Sequence, residues 1–328
     1  MEQIDILLAT YNGEKYLKEQ IDSILNQTYK NIRLVISDDC SKDSTRKILK
    51  EYETDERVEI HYQNNNQGYV KNFEYLLKQV TSDFYMLSDQ DDVWLPEKIE
   101  KTYYTLLEKN ADLVFGDLEV VNENLKTIYP SFNKFMLLDR RIRKYIDSYR
   151  LNYLYNCITG CTVMAKKNMI KKILPFPSKS KYVAHDHWMG IIISLNGKVA
   201  YMPEKYIKYR QHGNNQIGTN KISHGFTKLE EVRKLFIEVK LGVFGTYLDN
   251  NEKFPGELQK LNNEAYDYFK MLQRKKIFNF KGWNIFHKLY KTETFLYYIE
   301  NFFIMNMPCL ARGLFKIRYF ALKIRGKR

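Results

Sequence analysis

Three carboxylates fall within four residues at Asp89-Gln90-Asp91-Asp92. Oxygen donors so closely spaced suit a hard divalent cation, Mg2+ or Mn2+, which can be held by one or two carboxylates and keep open positions for a diphosphate. An isolated Asp-x-Asp is a weak signal, because solvated turns produce it often. Here the apolar run Phe84-Tyr85-Met86-Leu87 leads into it, and Trp94 and Pro96 close the turn.

Three further groups carry polar residues in comparable places. Ala9-Thr10-Tyr11-Asn12-Gly13 ends a strand-like run; its hydroxyls and backbone could meet a nucleotide or simply cap a helix. Ser37-Asp38-Asp39 ends another, and adjacent carboxylates need partners. A carboxylate there can accept the ring N–H of uracil or thymine, or a ribose hydroxyl. Asp43 is placed to cap the next helix. His185-Asp186-His187-Trp188 opens a helical stretch, where Asp186 can be a general base or a cap. Its His-x-His spacing lacks the third ligand that zinc would need. Downstream, Arg210 and His212 could meet phosphate oxygens or a metal. His185, Trp188 and Arg210 are the candidates for phosphate or acceptor contact.

The elements that must position these groups are legible from periodicity. Strand-like runs cover Ile4–Ala9, Ile32–Ser37, Val58–Tyr62, Phe84–Ser88 and Leu113–Phe115. Between them Tyr16, Leu17, Gln20, Ile21, Ile24 and Leu25 share one helical face, as do Val70, Phe73, Leu76, Leu77 and Val80. Strand-helix alternation predicts an α/β fold with a mostly parallel sheet flanked by helices, and such sheets collect ligands at the carboxyl ends of their strands. Residues 120–155 are less regular and hold the basic run Arg140, Arg141, Arg143, Lys144, for which a solvated helix face is the simplest reading. The α/β texture returns with strands near Thr162–Ala165 and Val199–Met202 around a helix near Asp186–Leu195. Beyond about residue 222 the pattern is helical, with Pro255 placed to open a helix.

Charge divides the chain the same way. Residues 221–328 hold 21 Lys and Arg against 10 Asp and Glu, whereas 1–220 hold 31 against 29. The first part reads as a balanced enzyme domain and the rest as a basic helical extension suited to an anionic surface. The tail interleaves Arg312, Lys316, Arg318, Lys323, Arg325, Lys327 and Arg328 with Leu314, Phe315, Tyr319 and Phe320, a pattern that fits the headgroup boundary of an anionic membrane. No nucleic-acid recognition motif accompanies it. The four cysteines are too scattered for a disulfide framework. No leader is expected, since a strand-like run begins at Ile4, and the run Phe295–Leu310 is too short and polar to span a bilayer. A nicotinamide site would need a Gly-x-Gly-x-x-Gly turn, and Thr10–Lys15 offers only Gly13.

Together these motifs resemble glycosyltransferase family 2, inverting enzymes of the GT-A fold. Ala-Thr-Tyr-Asn stands at the first strand, Asp-Asp-x-Ser-x-Asp-x-Thr at the second, Asn66-Gln67-Gly68 with Asn72 as the Asn-x-Gly segment, and Asp-Gln-Asp-Asp after the fourth strand. The wording Leu-Ser-Asp-Gln-Asp-Asp-Val-Trp, with His-Asp-His-Trp and Tyr-Arg-Gln-His-Gly-Asn-Asn, is similar to a rhamnosyltransferase-like subgroup that builds surface polysaccharides.

The resemblance implies a catalytic domain over 1–220, with donor binding in 1–117 and an acceptor half in 118–220, and a helical region over 221–328. Thr10, Tyr11, Asn12, Asp38, Asp39, Asn72 and Asp89 would hold the nucleotide. Asp89 and Asp91, with His212, would hold the metal, Asp91 most directly. Asp186 would be the general base, with His185 where Glu is common in the family. The implied partners are a nucleotide-diphosphate sugar, foremost dTDP-rhamnose, and a glycan or lipid-linked glycan acceptor. The implied location is cytoplasmic, peripheral on the inner face of the membrane, and a homo-oligomer is compatible with it. A nonenzymatic alternative is an inactive glycan- or lipid-binding subunit.

Overall fold

The computed structural model describes residues 2–136, 138–177, 180–213, 229–274 and 280–290, with 298, 302, 303, 305 and 306. The chain forms two compact units, Met1–Ser178 with Ala184–Gln216, and Lys179–Val183 with Ile217–Arg328.

The first unit opens with strand β1 (Ile4–Thr10), helix α1 (Leu17–Leu25), β2 (Ile32–Asp38), α2 (Thr45–Lys50), β3 (Val58–Tyr62), α3 (Tyr69–Lys78) and β4 (Phe84–Ser88). After the acidic turn come β5 (Val93–Trp94), α4 (Lys98–Glu108), β6 (Leu113–Val121) and β7 (Thr127–Tyr129). Three short helices follow, α5 (Phe132–Phe135), α6 (Asp139–Tyr145) and α7 (Arg150–Leu154). Then come β8 (Met164–Lys166), α8 (Ile170–Ile173), α9 (His185–Asn196) and β9 (Val199–Arg210).

Among the described residues nine strands form one sheet in the order β3-β2-β1-β4-β8-β6-β9-β5, with β7 paired to β6. Pairing is parallel among β1 to β4, as expected, and between β6 and β9. It is antiparallel where β8 enters between β4 and β6 and at the β5 and β7 margins, so the sheet is mixed. Three strands differ by more than one residue from their expected bounds, and the one read at Leu113–Phe115 continues to Val121 because its later residues pair with β9 and β7. The one read at Thr162–Ala165 begins at Met164, because Gly160–Thr162 turns as a 3-10 helix. The one read at Val199–Met202 continues to Arg210, because its later residues pair with both β6 and β5.

The core explains the helix faces. Ile4, Ile6 and Leu8 of β1 meet Leu17, Ile21 and Ile24 of α1, all fully buried. Each such side chain contributes roughly 1.5–3 kcal/mol on burial. Gly68, at φ 83°, ends the loop before α3 in a region that favours glycine.

The second unit is helical, with α10 (Leu229–Asp249), α11 (Gly256–Gln273) opening after Pro255, and α12 (Phe280–Tyr290). Phe244 stacks on Phe269 at 5.7 Å in its core. No helix among the described residues is long and apolar enough to cross a membrane. The basic tail from Arg312 onward lies outside the described residues.

Candidate active site

The acidic turn leaves the carboxyl end of β4 beside that of β1, where Leu8 pairs with Ser88. Gln90 ties the two together. Its Oε1 accepts from Thr10 Oγ1 at 2.6 Å and from the Tyr11 amide at 2.8 Å, and its Nε2 donates to the Tyr11 carbonyl at 3.1 Å. Thr10 is buried and Tyr11 exposed. Asn12, at φ 48°, bridges to the second motif: its amide donates to Ser41 Oγ at 2.8 Å and its Oδ1 accepts from the Lys42 amide.

The carboxylates of that motif find protein partners. Asp38 is fully buried, accepts from Arg46 Nε at 2.6 Å and sits against the Ser41 amide. Asp39 accepts the Gln67 and Gly68 amides at 2.9 and 2.8 Å, so it anchors the Asn-x-Gly loop. Asn72 donates to the Ser37 carbonyl at 2.9 Å. Asp43 accepts the Thr45 amide at the start of α2.

Within the acidic turn the three carboxylates differ. Asp92 is fully buried, accepts the Arg210 amide at 3.1 Å, and lies with Asp89 and Cys161 so that their ligand atoms fall within 4.8 Å of one another. Burial, then the Asp91 and Asp89 charges, push its carboxyl well above the usual range, and burial likewise pushes the Cys161 thiol up. A protonated thiol is a poor ligand for a hard cation. Asp91 instead faces His212, with Oδ2 and Nε2 2.8 Å apart. Two donors held at right angles about 2.1 Å from one ion stand about 3 Å apart, so this pair fits a six-coordinate Mn2+ or Mg2+. Asp89 is pushed up to about 7 by burial and then by the Asp91 and Asp186 charges. Carboxylates from the turn and from α9 therefore converge here.

Arg210 is 2 % exposed. Its Nε donates to the Asp91 carbonyl at 2.9 Å, Nη1 to the Glu123 carbonyl at 2.7 Å, and Nη2 meets Glu19. The guanidinium lies 4.4 Å over the Tyr16 ring, whose centroid is 5.0 Å from that of His212. Arg210 thus braces the acidic turn rather than offering its guanidinium to a phosphate.

Asp186 sits in the first turn of α9 and is 8 % exposed. Its Oδ1 accepts the His187 amide at 2.7 Å and Asn156 Nδ2 at 3.3 Å; its Oδ2 accepts the Gly160 amide at 3.2 Å. Two neighbours differ from their expected contact roles. Trp188 is fully buried with its indole N–H on the Ile173 carbonyl, so it has no surface for an acceptor. His185 stacks on Phe73 at 4.2 Å with both ring nitrogens enclosed, and burial pushes its pKa down; it is a neutral core ring without access to phosphate. His187 turns away to the Asn152 carbonyl at 2.9 Å, so the two imidazoles do not form a metal pair.

The family model for glycosyl transferase family 2 matches residues 5–174, from β1 through the acidic turn to α8. The chain belongs to glycosyl transferase family 2. It is 32% identical over 228 residues to the dTDP-rhamnosyl transferase RfbG of Shigella flexneri, covering 65% of this chain and 74% of that one. It is 30% identical over 222 residues to the O-antigen biosynthesis glycosyltransferase WbnJ of Escherichia coli, covering 65% and 81%. Two solved structures share the fold: Staphylococcus aureus TarS 1-349 in complex with UDP-GlcNAc (TM-score 0.56, 18% identity, 99% and 89% covered) and the mannosyltransferase PcManGT of Pyrobaculum calidifontis in complex with GDP-Man and Mn2+ (0.54, 12%, 98% and 86%). The mixed sheet with its flanking helices is the GT-A arrangement, and membership of family 2 makes the chain a glycosyltransferase.

Several residues that organise the family 2 site were not singled out from sequence. Gln90 carries a signal in retrospect, because an amide between carboxylates can both accept and donate where Asp can only accept. Arg46 and Tyr16 carry none, since their partners Asp38 and Arg210 lie 8 and 194 residues away.

Proposed function

We propose that this glycosyltransferase is metal-dependent and inverting, and that it moves a sugar, foremost rhamnose from dTDP-rhamnose, to a glycan or lipid-linked glycan acceptor. The observation that carries the reading is the convergence of Asp89 and Asp91 from the β4–β5 turn with Asp186 from α9, near enough for both charges to raise Asp89. The 32% identity to RfbG supports the donor.

Residues 1–220 act as the catalytic domain, with the donor in 1–117 and the acceptor in 118–220. Thr10, Tyr11, Asn12 and the Asp38–Asp39 motif line the nucleoside end. Asp91 and His212 hold the cation, with Asp89 beside them. Bound there, Mg2+ or Mn2+ supplies positive charge to the departing nucleoside diphosphate. Asp186 takes the proton from the acceptor hydroxyl as its oxygen attacks the anomeric carbon. One base and a direct displacement invert that centre. The Gly160 amide, Asn156 and the His187 amide fix the carboxylate, so Asp186 is oriented before substrate arrives. The basic residues 221–328 keep the enzyme peripheral on the inner face of the membrane.

A thermal-shift screen of nucleoside diphosphates and nucleotide sugars with Mn2+ tests this reading. A ligand at 100 times its dissociation constant adds about 2.7 kcal/mol. Stabilisation by thymidine compounds that requires Mn2+ is expected, and no response to any nucleotide sugar overturns the reading.

A further inference from the structure

Tyr69 opens α3 directly after Gly68 and takes no part in the mechanism above. Its side chain is 42 % exposed, so part of an aromatic ring faces water. Two attachments fix where that ring stands. On one side the Gly68 amide donates to Asp39 Oδ2 at 2.8 Å, which ties the start of α3 to the second motif. On the other side the Tyr69 ring meets the His185 ring nearly edge to face, with centroids 5.8 Å apart and planes at 71°.

His185 is itself wedged in place. It stacks on Phe73 at 4.2 Å, and a Cβ on Gly160 would stand 2.9 Å from its Nε2. Asp186 is the next residue in the chain. The Tyr69 ring is therefore held between the Asp39 loop and the first turn of α9. The electrostatics agree with that placing: burial, then the Asp186 and Asp89 charges, push the Tyr69 phenol above its ordinary value. Carboxylates from α9 and from the acidic turn thus both act on one exposed ring.

Displacement at an anomeric carbon puts the base on one side of the sugar and the departing diphosphate on the other. A group reached by both Asp186 and Asp89 lies level with the sugar between them. The face of an aromatic ring is negative, and the C–H groups of a sugar ring carry slight positive charge, so the two stack. We propose that Tyr69 is a specificity-determining residue that packs its ring on the C–H face of the transferred sugar. This rests on the reading of the protein as a nucleotide-sugar transferase and deepens it: Tyr69 reads the sugar, whereas the Asp38–Asp39 motif meets the nucleoside. His185 backs the ring and keeps it in position.

The test compares thymidine diphosphate with dTDP-rhamnose by calorimetric titration in the presence of Mn2+, on wild type, Tyr69→Ala and Tyr69→Phe. Tyr69→Ala is expected to lose about tenfold in affinity for dTDP-rhamnose and to keep its affinity for thymidine diphosphate. Tyr69→Phe keeps the ring and is expected to bind both ligands as wild type does. An equal loss for both ligands in Tyr69→Ala overturns the proposal, because the change would then act through the Gly68–Asp39 attachment. A loss in Tyr69→Phe as large as in Tyr69→Ala also overturns it, since the hydroxyl and not the ring would be the contact. So does unchanged dTDP-rhamnose binding by Tyr69→Ala; a raised acceptor KM beside it would assign the ring to the acceptor. Failure of the transferase reading is told apart by the wild type. If wild type binds neither ligand, the donor reading falls and this role with it, whereas binding of both that Tyr69→Ala leaves intact removes only the role of Tyr69.

Discussion

His212 Nε2 and Asp91 Oδ2 lie 2.8 Å apart, joining the end of β9 to the turn after β4 across 121 residues of sequence. The contact makes the proposed cation site a product of the fold rather than of one motif. His212→Ala is expected to weaken Mn2+ binding about tenfold or more, followed by electron paramagnetic resonance with thymidine diphosphate present. Asp91→Ala should abolish transfer while the melting temperature stays near that of wild type, because the side chain faces the site and not the core.

Asp186→Asn should lower turnover by at least about a hundredfold and leave donor affinity unchanged. The amide keeps the shape and cannot accept the proton. Calorimetric titration of donor beside a transfer assay separates the outcomes; a parallel loss of binding and turnover would make Asp186 a binding residue.

Gln90 fixes Thr10 and Tyr11, and a Cβ on Gly13 would stand 2.5 Å from Gln90 Oε1. Gln90→Ala and Gly13→Ala are therefore both expected to raise the donor KM several-fold with a smaller effect on kcat. Steady-state kinetics at saturating acceptor would show it.

Asp5 carries a pH dependence that belongs to stability alone. Burial raises its pKa, but hydrogen bonds from Arg33, Ser82 and Thr81 outweigh that, and the net direction is down from 3.8. The unfolded chain then binds the proton more readily, so the contribution is complete above about pH 4 and is lost as pH falls through the folded value. Asp5→Asn should flatten the acid limb of the stability profile below about pH 4 in denaturant titrations.

The strands that carry the donor motifs were legible because each is a short apolar run closed by polar residues. β3 and β4 fall at their expected bounds, Val58–Tyr62 and Phe84–Ser88. The length of β9 was not legible, since Pro203, Glu204 and Lys205 interrupt the apolar run; its extension depends on pairing with β5 and β6. The same limit applies at the site. The acidic turn is written in consecutive residues, whereas the burial of Trp188 and the inward turn of Arg210 depend on neighbours distant in sequence. His185 looked available beside Asp186, and only packing on Phe73 shows that it is enclosed.

The most direct test of the central claim is release of thymidine diphosphate from dTDP-rhamnose by the purified enzyme with Mn2+ and a lipid-linked glycan acceptor. The account predicts release that stops on chelation, returns with Mn2+, and is absent from Asp91→Ala. Release that is unchanged by chelation, or retained by Asp91→Ala, would contradict it.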